Sequence, residues 1–526
     1  MKKITAIIIA ILALTIMLAA CKGSDAPAGD AAPGTSAAPG GDAAQPAAGS
    51  GNSLTVGTLD SADGFDPTTN ANCGLGLPLV YDTVLIADYR TGEIKPHLAS
   101  SFGFTDDLTF VMEIRDDVYF SNGEKMQPSD VIYSLSRFVF ENTQFETGFE
   151  NIDYDASTIS GNTITLKLYE TDPDLVYYLS NDRWASVVCE SYVKSTGAEA
   201  FWDAPVGTGA YNCTENVAGS HSSYVRKDSY WGAMPQAGTI TVRYYSELTT
   251  MMVDFENKVL DVVLDVGAME YDNANGGAYA DAVTQQMPTY DILSVAMPQY
   301  IDAFNDIRVR QAIAMGLDVE GITQAVFGSL GTVADSCMIK GIAFYTPTRV
   351  NEYNPERAKE LLAEAGFGPG DLEFLMLFPG MPSNVMAGTI VQSQLGEIGV
   401  TLQVETGDFA TIIPRLMANE CELGLYGTGG GTSSPSRLLI LLSATGTNGM
   451  VRNADPEFNA YITEARTSID PAARAAAFNN AQRWCADNYW YIPVAYPMGA
   501  LIHHSNVDNL IGTTIRGVNF NYVTFN

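Results

Sequence analysis

The N-terminal 20 residues limit the fold of this chain more than any other feature. Lys2 and Lys3 precede an apolar run at residues 4–20 that only two threonines interrupt. A charged start followed by such a run is typical of a secretory signal peptide, which the mature protein loses. A run of this length could also just span a bilayer as a helix, so a permanent membrane anchor is the alternative. In both cases the folded body must come from the residues that follow.

The apolar run ends with Leu18-Ala19-Ala20-Cys21. These four residues resemble the lipobox of bacterial lipoproteins, in which the cysteine thiol receives a diacylglycerol before cleavage in front of it. The resemblance implies that residues 1–20 are a signal peptide and that Cys21 is the lipidated mature N-terminus. Two acyl chains hold a membrane far more strongly than one, which binds only reversibly. The implied location is the outer face of the cell membrane, or the periplasm if the envelope has two membranes.

Residues 21–52 differ in composition from the rest of the chain. Of the 31 residues after Cys21, 21 are Ala, Gly or Pro, and none is Leu, Ile, Val, Phe, Tyr, Trp or Met. Such a segment cannot bury enough apolar surface to offset the entropy lost on ordering. We therefore predict a linker, which as a flexible coil spans on the order of 30 Å.

The remaining residues, 53–526, are long enough for about three domain-sized units. They contain no second long apolar run, which predicts a soluble body. The chain has 28 Lys and Arg against 61 Asp and Glu, a formal net charge of −33. That charge would repel a nucleic-acid backbone, so the sequence excludes nucleic acid as a partner.

Six cysteines follow the lipidation site, and the cellular compartment determines whether they can form disulfides. Export permits disulfides, but the cysteines allow many alternative pairings and the sequence does not choose among them. No CxxC motif occurs, which removes the usual zinc-ribbon and thioredoxin-like sites. The six are Cys73, Cys189, Cys213, Cys337, Cys421 and Cys485.

The start of the body has the pattern of short strands separated by polar loops. A strand is predicted at residues 54–58, and a polar loop follows at residues 65–70. Residues 109–114 alternate between apolar and polar side chains, as in a half-buried strand. Ser129 is then predicted to cap a helix. The inner face of that helix consists of Val131, Leu135 and Phe138.

Several segments together resemble family 5 of the extracellular solute-binding proteins, the peptide- and nickel-binding components of ATP-binding cassette importers. The segments are IKPHLASSF at residues 94–102, PVGTGAY at 205–211, DIRVRQA at 306–312 and YNPERAKELLAEAGF at 353–367. The resemblance extends along nearly the whole body, and the last segment is its most specific part. It implies an α/β fold of the periplasmic-binding-protein-like class II (cluster C). Such a fold has two lobes, three subdomains and a ligand cleft between the lobes.

The second half of the body contains strong local signals for helices. Asp306 fits the N-cap of one helix, and Asn354 fits the N-cap of another whose first residue is Pro355 and which Gly366 ends. Strands and helices then alternate through residues 372–426, which predicts a parallel sheet with helical crossovers. A last helix is predicted at residues 471–488, before strands that return to the first lobe.

These observations and the resemblance predict domain boundaries. Residues 1–20 are the signal peptide and 21–52 the lipidated cysteine with its linker. The first lobe, lobe I, is built from three separate segments of the chain, at residues 53–81, 205–299 and 491–526. The other folded regions are subdomain Ib/II at residues 82–204 and lobe III at residues 300–490.

Enzyme and metal signatures are scarce. The chain has no HExxH, no GxSxG and no GxxxxGK[ST] motif. His97 lies in the segment at 94–102, where it is predicted to be packed or solvated. His503 and His504 are adjacent, so their rings point to opposite faces of a strand and one metal would not easily bind both. We predict no catalytic residues, no metal site and no cofactor.

The resemblance implies two groups of ligand contacts in the first lobe and near the entry to lobe III. Asn70, Asn72 and Gly74 lie in a loop that touches the ligand in the family, although an ordinary surface loop is the alternative. Gln299 and Tyr300 lie just before the third lobe, where hinge packing is an equally good interpretation.

A third group follows the predicted strand at residues 421–426. In peptide-binding members this place holds an aromatic-rich stretch whose carboxylate pairs with the N-terminal amine of the peptide. Counting back from Pro435, the carboxylate position falls on Gly431, which argues against recognition of a free amine. The predicted contacts of this group are Tyr426, Thr428, Gly429, Gly430, Gly431 and Thr432.

The sequence therefore predicts a monomeric solute-binding lipoprotein that closes on a peptide or peptide-like solute and presents it to the permease subunits of an importer. An oligosaccharide or another small polar metabolite is the alternative ligand. A secreted hydrolase and a purely structural surface lipoprotein are the rival functions.

Overall fold

The computed structural model describes residues 52–60, 64–69, 75–88, 91–141, 147–201, 204–349, 351–429, 434–440, 442–443, 451–512 and 517–526. The predicted signal peptide, Cys21 and nearly all of the linker lie outside these residues. Within the described part of the chain, no helix is both long enough and apolar enough to cross a bilayer.

The strands occur in every region of the body. They are β1 (Asn52–Thr58), β2 (Leu85–Ala87), β3 (Ile94–Pro96), β4 (Ala99–Asp106), β5 (Thr109–Ile114), β6 (Ile152–Ser160), β7 (Thr163–Leu168), β8 (Tyr211–Val217), β9 (His221–Arg226), β10 (Ala237–Tyr244), β11 (Val262–Val263), β12 (Ala282–Pro288), β13 (Asp291–Ala296), β14 (Gly331–Val333), β15 (Leu372–Pro379), β16 (Val400–Gly407), β17 (Gly424–Gly429), β18 (Tyr491–His504), β19 (Val507–Asp508), β20 (Ile511–Gly512), β21 (Val518–Asn519) and β22 (Thr524–Phe525).

The helices are concentrated in the second half of the body. They are α1 (Leu77–Val80), α2 (Pro128–Phe140), α3 (Leu175–Tyr178), α4 (Glu190–Thr196), α5 (Leu248–Glu256), α6 (Ala268–Asn275), α7 (Ile307–Met315), α8 (Val319–Phe327), α9 (Pro355–Glu364), α10 (Pro382–Glu397), α11 (Phe409–Met417), α12 (Pro435–Ile440), α13 (Pro456–Thr467) and α14 (Pro471–Asn488).

A mixed sheet runs through the body in the order β17-β13-β18-β11-β1-β10-β9-β8. β1 lies inside this sheet and pairs in parallel with both β10 and β11. Its inward residues Leu54 and Val56 are fully buried. The predicted strand at 54–58 is thus confirmed, and it forms the middle of the sheet because its apolar alternation fits a buried position.

β18 joins two groups of strands. Its first half pairs with β13 and β14, up to the pair Gly331 and Pro497. Its second half pairs with β12, starting at the pair Pro288 and Met498, and then with β11. On the neighbouring segment, Tyr290 stands between β12 and β13 with a positive φ of 52°. β18 therefore changes its partners at residues 497–498, beside the turn that separates β12 from β13.

A smaller antiparallel sheet, in the order β4-β5-β7-β6, packs with α2. The predicted strand at 109–114 is confirmed as β5. The predicted cap of the helix is wrong: Gln127, not Ser129, precedes the first turn. Pro128 occupies the first helical position, which suits its fixed φ and missing N–H. The Asp130 carboxylate accepts from the Gln127 N–H at 2.7 Å and closes the turn.

The helix predictions in the second half are confirmed. The Asn354 side chain caps α9, accepting from the Arg357 N–H at 3.0 Å, and Asp306 caps α7 in the same way. β15 and β16 pair in parallel across α10, as predicted. β17 differs from the prediction, since it pairs antiparallel with β13 in the main sheet. The strand also lies later than predicted, ending at Gly429.

Three large hydrophobic cores lie within the described residues. One belongs to the small sheet and includes residues from Val84 to Cys189; we call this region the small subdomain. The second packs on the main sheet, from Leu54 to Val523. The third includes residues from Ile292 to Tyr496, and we call this region lobe III. The exact domain boundaries given above stay a prediction.

Candidate functional site

The small subdomain and lobe III meet at Asp174. The Asp174 carboxylate accepts from the Ser434 hydroxyl at 2.5 Å and from the Ser436 N–H at 3.0 Å, and it pairs with the Arg474 guanidinium. Asp174 is 1% exposed and Arg474 6%. We call these four residues the interlobe contact. A carboxylate so completely removed from water is stable only because each of its partners satisfies it.

Local structure fixes each side of this contact. Asp174 begins the short helix α3, and its carbonyl accepts from the Tyr177 N–H at 2.9 Å. On the other side, Ser434 directly precedes α12 and accepts from the Arg437 N–H at 3.4 Å. Both residues therefore stand at helix starts, where the exposed N–H groups favour a carboxylate.

Arg474 is held inside lobe III before it reaches across. Its Nε donates to the Ala465 carbonyl at 2.9 Å. Its guanidinium lies 5.0 Å from the ring centroid of Phe344 and 5.5 Å from that of Phe478. Planar guanidinium groups stack on aromatic rings in this way and lose little freedom on binding. One face of Arg474 thus packs on its own lobe while Nη2 is presented to Asp174.

A second carboxylate lies next to the contact. Burial raises the pKa of Asp172 to about 6, although the charges of Arg466 and Arg474 oppose the shift. Burial also lowers the pKa of Arg474 to about 10, and the charge of Asp172 opposes that shift. At neutral pH the guanidinium stays charged and Asp172 is largely ionised. The interlobe contact is therefore ionic, and burying its charges carries a substantial desolvation free energy.

Arg183, in the same stretch as Asp174, holds the loop that precedes Asn70. Its Nε donates to the Pro67 carbonyl at 3.0 Å, and its Nη2 donates to the Thr69 carbonyl at 2.5 Å. The loop is fixed from a second side, since Arg137 forms two hydrogen bonds with Asp66 at 3.0 and 3.2 Å. Two buried arginines therefore set the position of the backbone up to Thr69.

The flanks of two predicted ligand-binding segments converge on residues 172–184. Thr69, bound by Arg183, directly precedes Asn70, and Ser434, bound by Asp174, closely follows Thr432. The ends of these segments, far apart in sequence, thus meet one short stretch of the small subdomain. Asn70, Asn72, Gly74, Gly430, Gly431 and Thr432 themselves lie outside the described residues. Their roles stay predictions.

Tyr426, Thr428 and Gly429 lie within β17. Their backbones pair with Ser294, Ile292 and Asp291 of β13. β17 is therefore an edge strand of the main sheet, and it ends directly before Gly430. A role of the three residues in ligand binding stays a prediction.

Gln299 and Tyr300 make contacts within lobe III. The Gln299 side chain accepts from the Ala454 N–H at 2.6 Å. The Tyr300 hydroxyl donates to the Cys421 carbonyl at 2.5 Å, and burial raises the pKa of this tyrosine. These contacts fit the packing alternative given above. A ligand contact by either residue stays a prediction.

Two histidines, His97 and His504, take part in packing. The His97 Nδ1 lies 2.9 Å from the Thr83 carbonyl, and the His504 ring stacks on Phe255 with 4.1 Å between centroids. The described portion of the chain contains no group of three or more His, Cys, Asp or Glu side chains arranged to hold a metal ion.

The interlobe contact was not among the predicted site residues. Asp174 and Arg474 are 300 positions apart, and neither lies in a motif whose spacing indicates a partner. The one local signal is the start of α14, where Asp470 and Pro471 define the first turn and so place Arg474 near its N-terminal end.

Three comparisons place the chain among known proteins. A family model described as bacterial extracellular solute-binding proteins, family 5 middle, matches residues 93–450. Heme-binding protein A of Haemophilus influenzae is 23% identical over 483 residues, 86% of this chain and 88% of that protein. Di/tripeptide-binding protein 2 of Pseudomonas aeruginosa is 23% identical over 487 residues, 85% of this chain and 90% of that protein.

A solved structure shares the fold. The dipeptide binding protein of Pseudoalteromonas sp. SM9913, in complex with Met-Leu, superposes with a TM-score of 0.73 at 20% identity, covering 90% of this chain and all of that one. The predicted two-lobed α/β fold is thereby confirmed.

Proposed function

Since this chain belongs to family 5 of the bacterial extracellular solute-binding proteins, we propose that it captures a peptide or peptide-like solute and delivers it to the permease of an ATP-binding cassette importer. Relatives whose names state peptide binding support this ligand class. The observation that carries the proposal is the interlobe contact. A buried ion pair between the small subdomain and lobe III supports a mechanism in which the protein binds its solute by closing.

Closure is the proposed mechanism, without any bond making. The lobes rotate about the junction of β12 with β13 and about the middle of β18, where the Thr289 hydroxyl donates to the Pro497 carbonyl at 2.7 Å. A ligand shifts the balance between open and closed states only by contacts that it makes in the closed state. The interlobe contact adds to those contacts and leaves the bound solute shielded from water.

The N-terminal end of the ligand is the region for which the sequence makes a definite prediction. Gly431 provides no carboxylate at the position where peptide-binding relatives are expected to pair with a free amine. Loss of one partner of such a buried pair typically costs about 2–5 kcal/mol. We therefore expect a tripeptide and its N-acetylated form to bind with equal affinity, or the acetylated form to bind more tightly.

Calorimetry on a panel of such peptide pairs tests both statements. Binding of either form supports the peptide class, and a preference for the free amine above about tenfold, roughly 1.4 kcal/mol, contradicts the prediction for Gly431. Binding of oligosaccharides with no response to any peptide establishes the alternative ligand class. No response to either class contradicts the proposed function.

We also propose that the protein is a monomer held on the outer face of the cell membrane by a lipid on Cys21. The support is the sequence Leu18-Ala19-Ala20-Cys21 and the linker that follows. Cys21→Ser is expected to release the body into the medium or to leave an uncleaved precursor, as seen by fractionation and N-terminal sequencing. A mature N-terminus mapped to any other residue in the wild-type protein contradicts the proposal.

A further inference from the structure

Two cysteines from distant regions of the chain meet inside lobe III. Cys337 follows β14 and Cys485 lies on α14, about 150 positions later. They are 4% and 3% exposed, and both belong to the apolar core of lobe III. The two side chains are neighbours: both cysteines line one small pocket, and the Cys337 thiol contributes to raising the pKa of Cys485.

Neighbouring contacts hold the two backbones in place. The Ser336 hydroxyl donates to the Gln482 side-chain oxygen at 2.9 Å, and the Thr346 N–H donates to the same oxygen at 2.8 Å. Gln482 lies on α14 three positions before Cys485, so it shares the face of the helix that meets Cys337. The Ser336 N–H also donates to the Tyr496 hydroxyl at 3.1 Å. The residues beside both cysteines are thus fixed by buried hydrogen bonds.

We propose that Cys337 and Cys485 form a disulfide in the exported protein. Both are thiols in the structure. Disulfides form and persist outside the reducing cytosol, and the family is extracellular. A bond requires that the two backbones already stand at a suitable separation, because a misplaced pair stores strain. The shared pocket and the buried hydrogen bond from Ser336 to Gln482 place the two side chains next to each other.

The oxidant is a disulfide of a thiol oxidoreductase or of a small thiol compound. One cysteine, as thiolate, attacks a sulfur of that disulfide, forms a mixed disulfide and displaces one thiol of the oxidant. The other cysteine, as thiolate, then attacks the sulfur of the first and displaces the second thiol. Two electrons pass to the oxidant, and the two protons lost by the cysteines end on its thiols.

The bond forms before lobe III is fully packed. Burial raises the pKa of the Cys485 thiol well above its ordinary value, so the folded protein holds little of the reactive thiolate. Neither sulfur is then open to an oxidant or a reductant. A bond made during folding is therefore kept, and it ties the segment after β14 to α14.

Peptide mapping of the exported wild-type protein tests the proposal. The protein is recovered from the host envelope, alkylated with N-ethylmaleimide under denaturing conditions without a reductant, and digested. We expect one cross-linked peptide pair containing Cys337 and Cys485, and the buried thiol of Cys189 serves as the internal control for alkylation. Alkylation of both Cys337 and Cys485, or a link from either of them to a third cysteine, overturns the proposal.

Stability measurements separate a covalent link from simple packing. The entropy of closing a loop of this length predicts that breaking the link lowers the melting temperature by roughly 5 °C or more. Cys337→Ser, Cys485→Ser and the double variant are expected to melt close together, since each lacks the same bond. Wild-type protein unfolded, reduced and refolded with a reductant should melt about as far below the oxidised protein. A melting temperature unchanged by that treatment contradicts the proposal even if the serine variants are unstable.

Discussion

Asp174→Asn is expected to weaken solute binding by about 100-fold or more. The substitution keeps the size of the side chain but removes the charge that faces Arg474 across the lobes. Removing one member of a buried ion pair typically costs about 3–5 kcal/mol, because the other charge stays buried without its partner. The Ser434 hydroxyl and the Ser436 N–H also lose a charged acceptor for a neutral one.

In the proposed mechanism the effect falls on closure, because the interlobe contact forms only when the small subdomain and lobe III are together. In the proposed open state, Asp174 and the Nη2 of Arg474 both reach water and no longer depend on each other. Calorimetry with a peptide found by the paired panel measures the loss as an increase in Kd. The measurement belongs at pH 7.5, above the pKa of Asp172, so that the neighbouring carboxylate stays ionised in both variants.

A matched control and a second variant show whether weaker binding comes from the loss of the interlobe contact or from a general loss of stability. Asp155→Asn makes the same chemical change at an exposed position on β6 of the same small subdomain, and its Kd should equal that of the wild type. Adding Arg474→Met to Asp174→Asn removes the unpaired charge while keeping the packing on Phe344 and Phe478. We expect the double variant to bind more tightly than Asp174→Asn alone. Equal Kd values for Asp174→Asn and Asp155→Asn contradict the closure role.

The elements that the sequence predicted well depend on neighbours within a few residues. The Asn354 cap, Pro355 at the first position of α9 and Gly366 after it all act inside a single helix, so their effect is visible in the sequence. The strand β5 was predicted to the residue because its alternation is regular. The wrong prediction of Ser129 as the N-cap also has a local cause. Pro128 takes the first helical position, so the N-cap lies two positions before Ser129.

What the sequence did not show depends on contacts between distant residues. The antiparallel pairing of β17 with β13 joins segments far apart in the sequence, and an apolar strand pattern does not tell whether a strand pairs in parallel or antiparallel. The Asp174 and Arg474 pair spans 300 positions and needs both lobes in place. The ligand contacts predicted from family resemblance stay predictions, although the positions of Thr69 and Ser434 now bring the ends of two predicted segments to one stretch of the small subdomain.

Gly207→Ala is expected to lower the free energy of unfolding by about 3 kcal/mol or more. Gly207 lies where the chain returns from the small subdomain to the main sheet, and a Cβ at this position would collide with the Val80 carbonyl oxygen and press on the Tyr81 ring. The backbone cannot move aside easily. The Gly207 carbonyl accepts from the Ser121 N–H at 3.0 Å and from the Lys227 ammonium at 2.9 Å, while the nearby Gly209 N–H donates to Val80 at 2.9 Å.

Gly103→Ala is the matched control, because a Cβ at that position on β4 meets no atom within 4 Å. In a body of this size, a loss of about 3 kcal/mol corresponds to a melting temperature roughly 3 °C lower, so calorimetric melting of the two purified variants distinguishes them. Urea denaturation at 25 °C provides the free energies directly. If the variants unfold at the same urea concentration, the close approach of Gly207 to Val80 does not limit stability, and the return from the small subdomain tolerates a side chain.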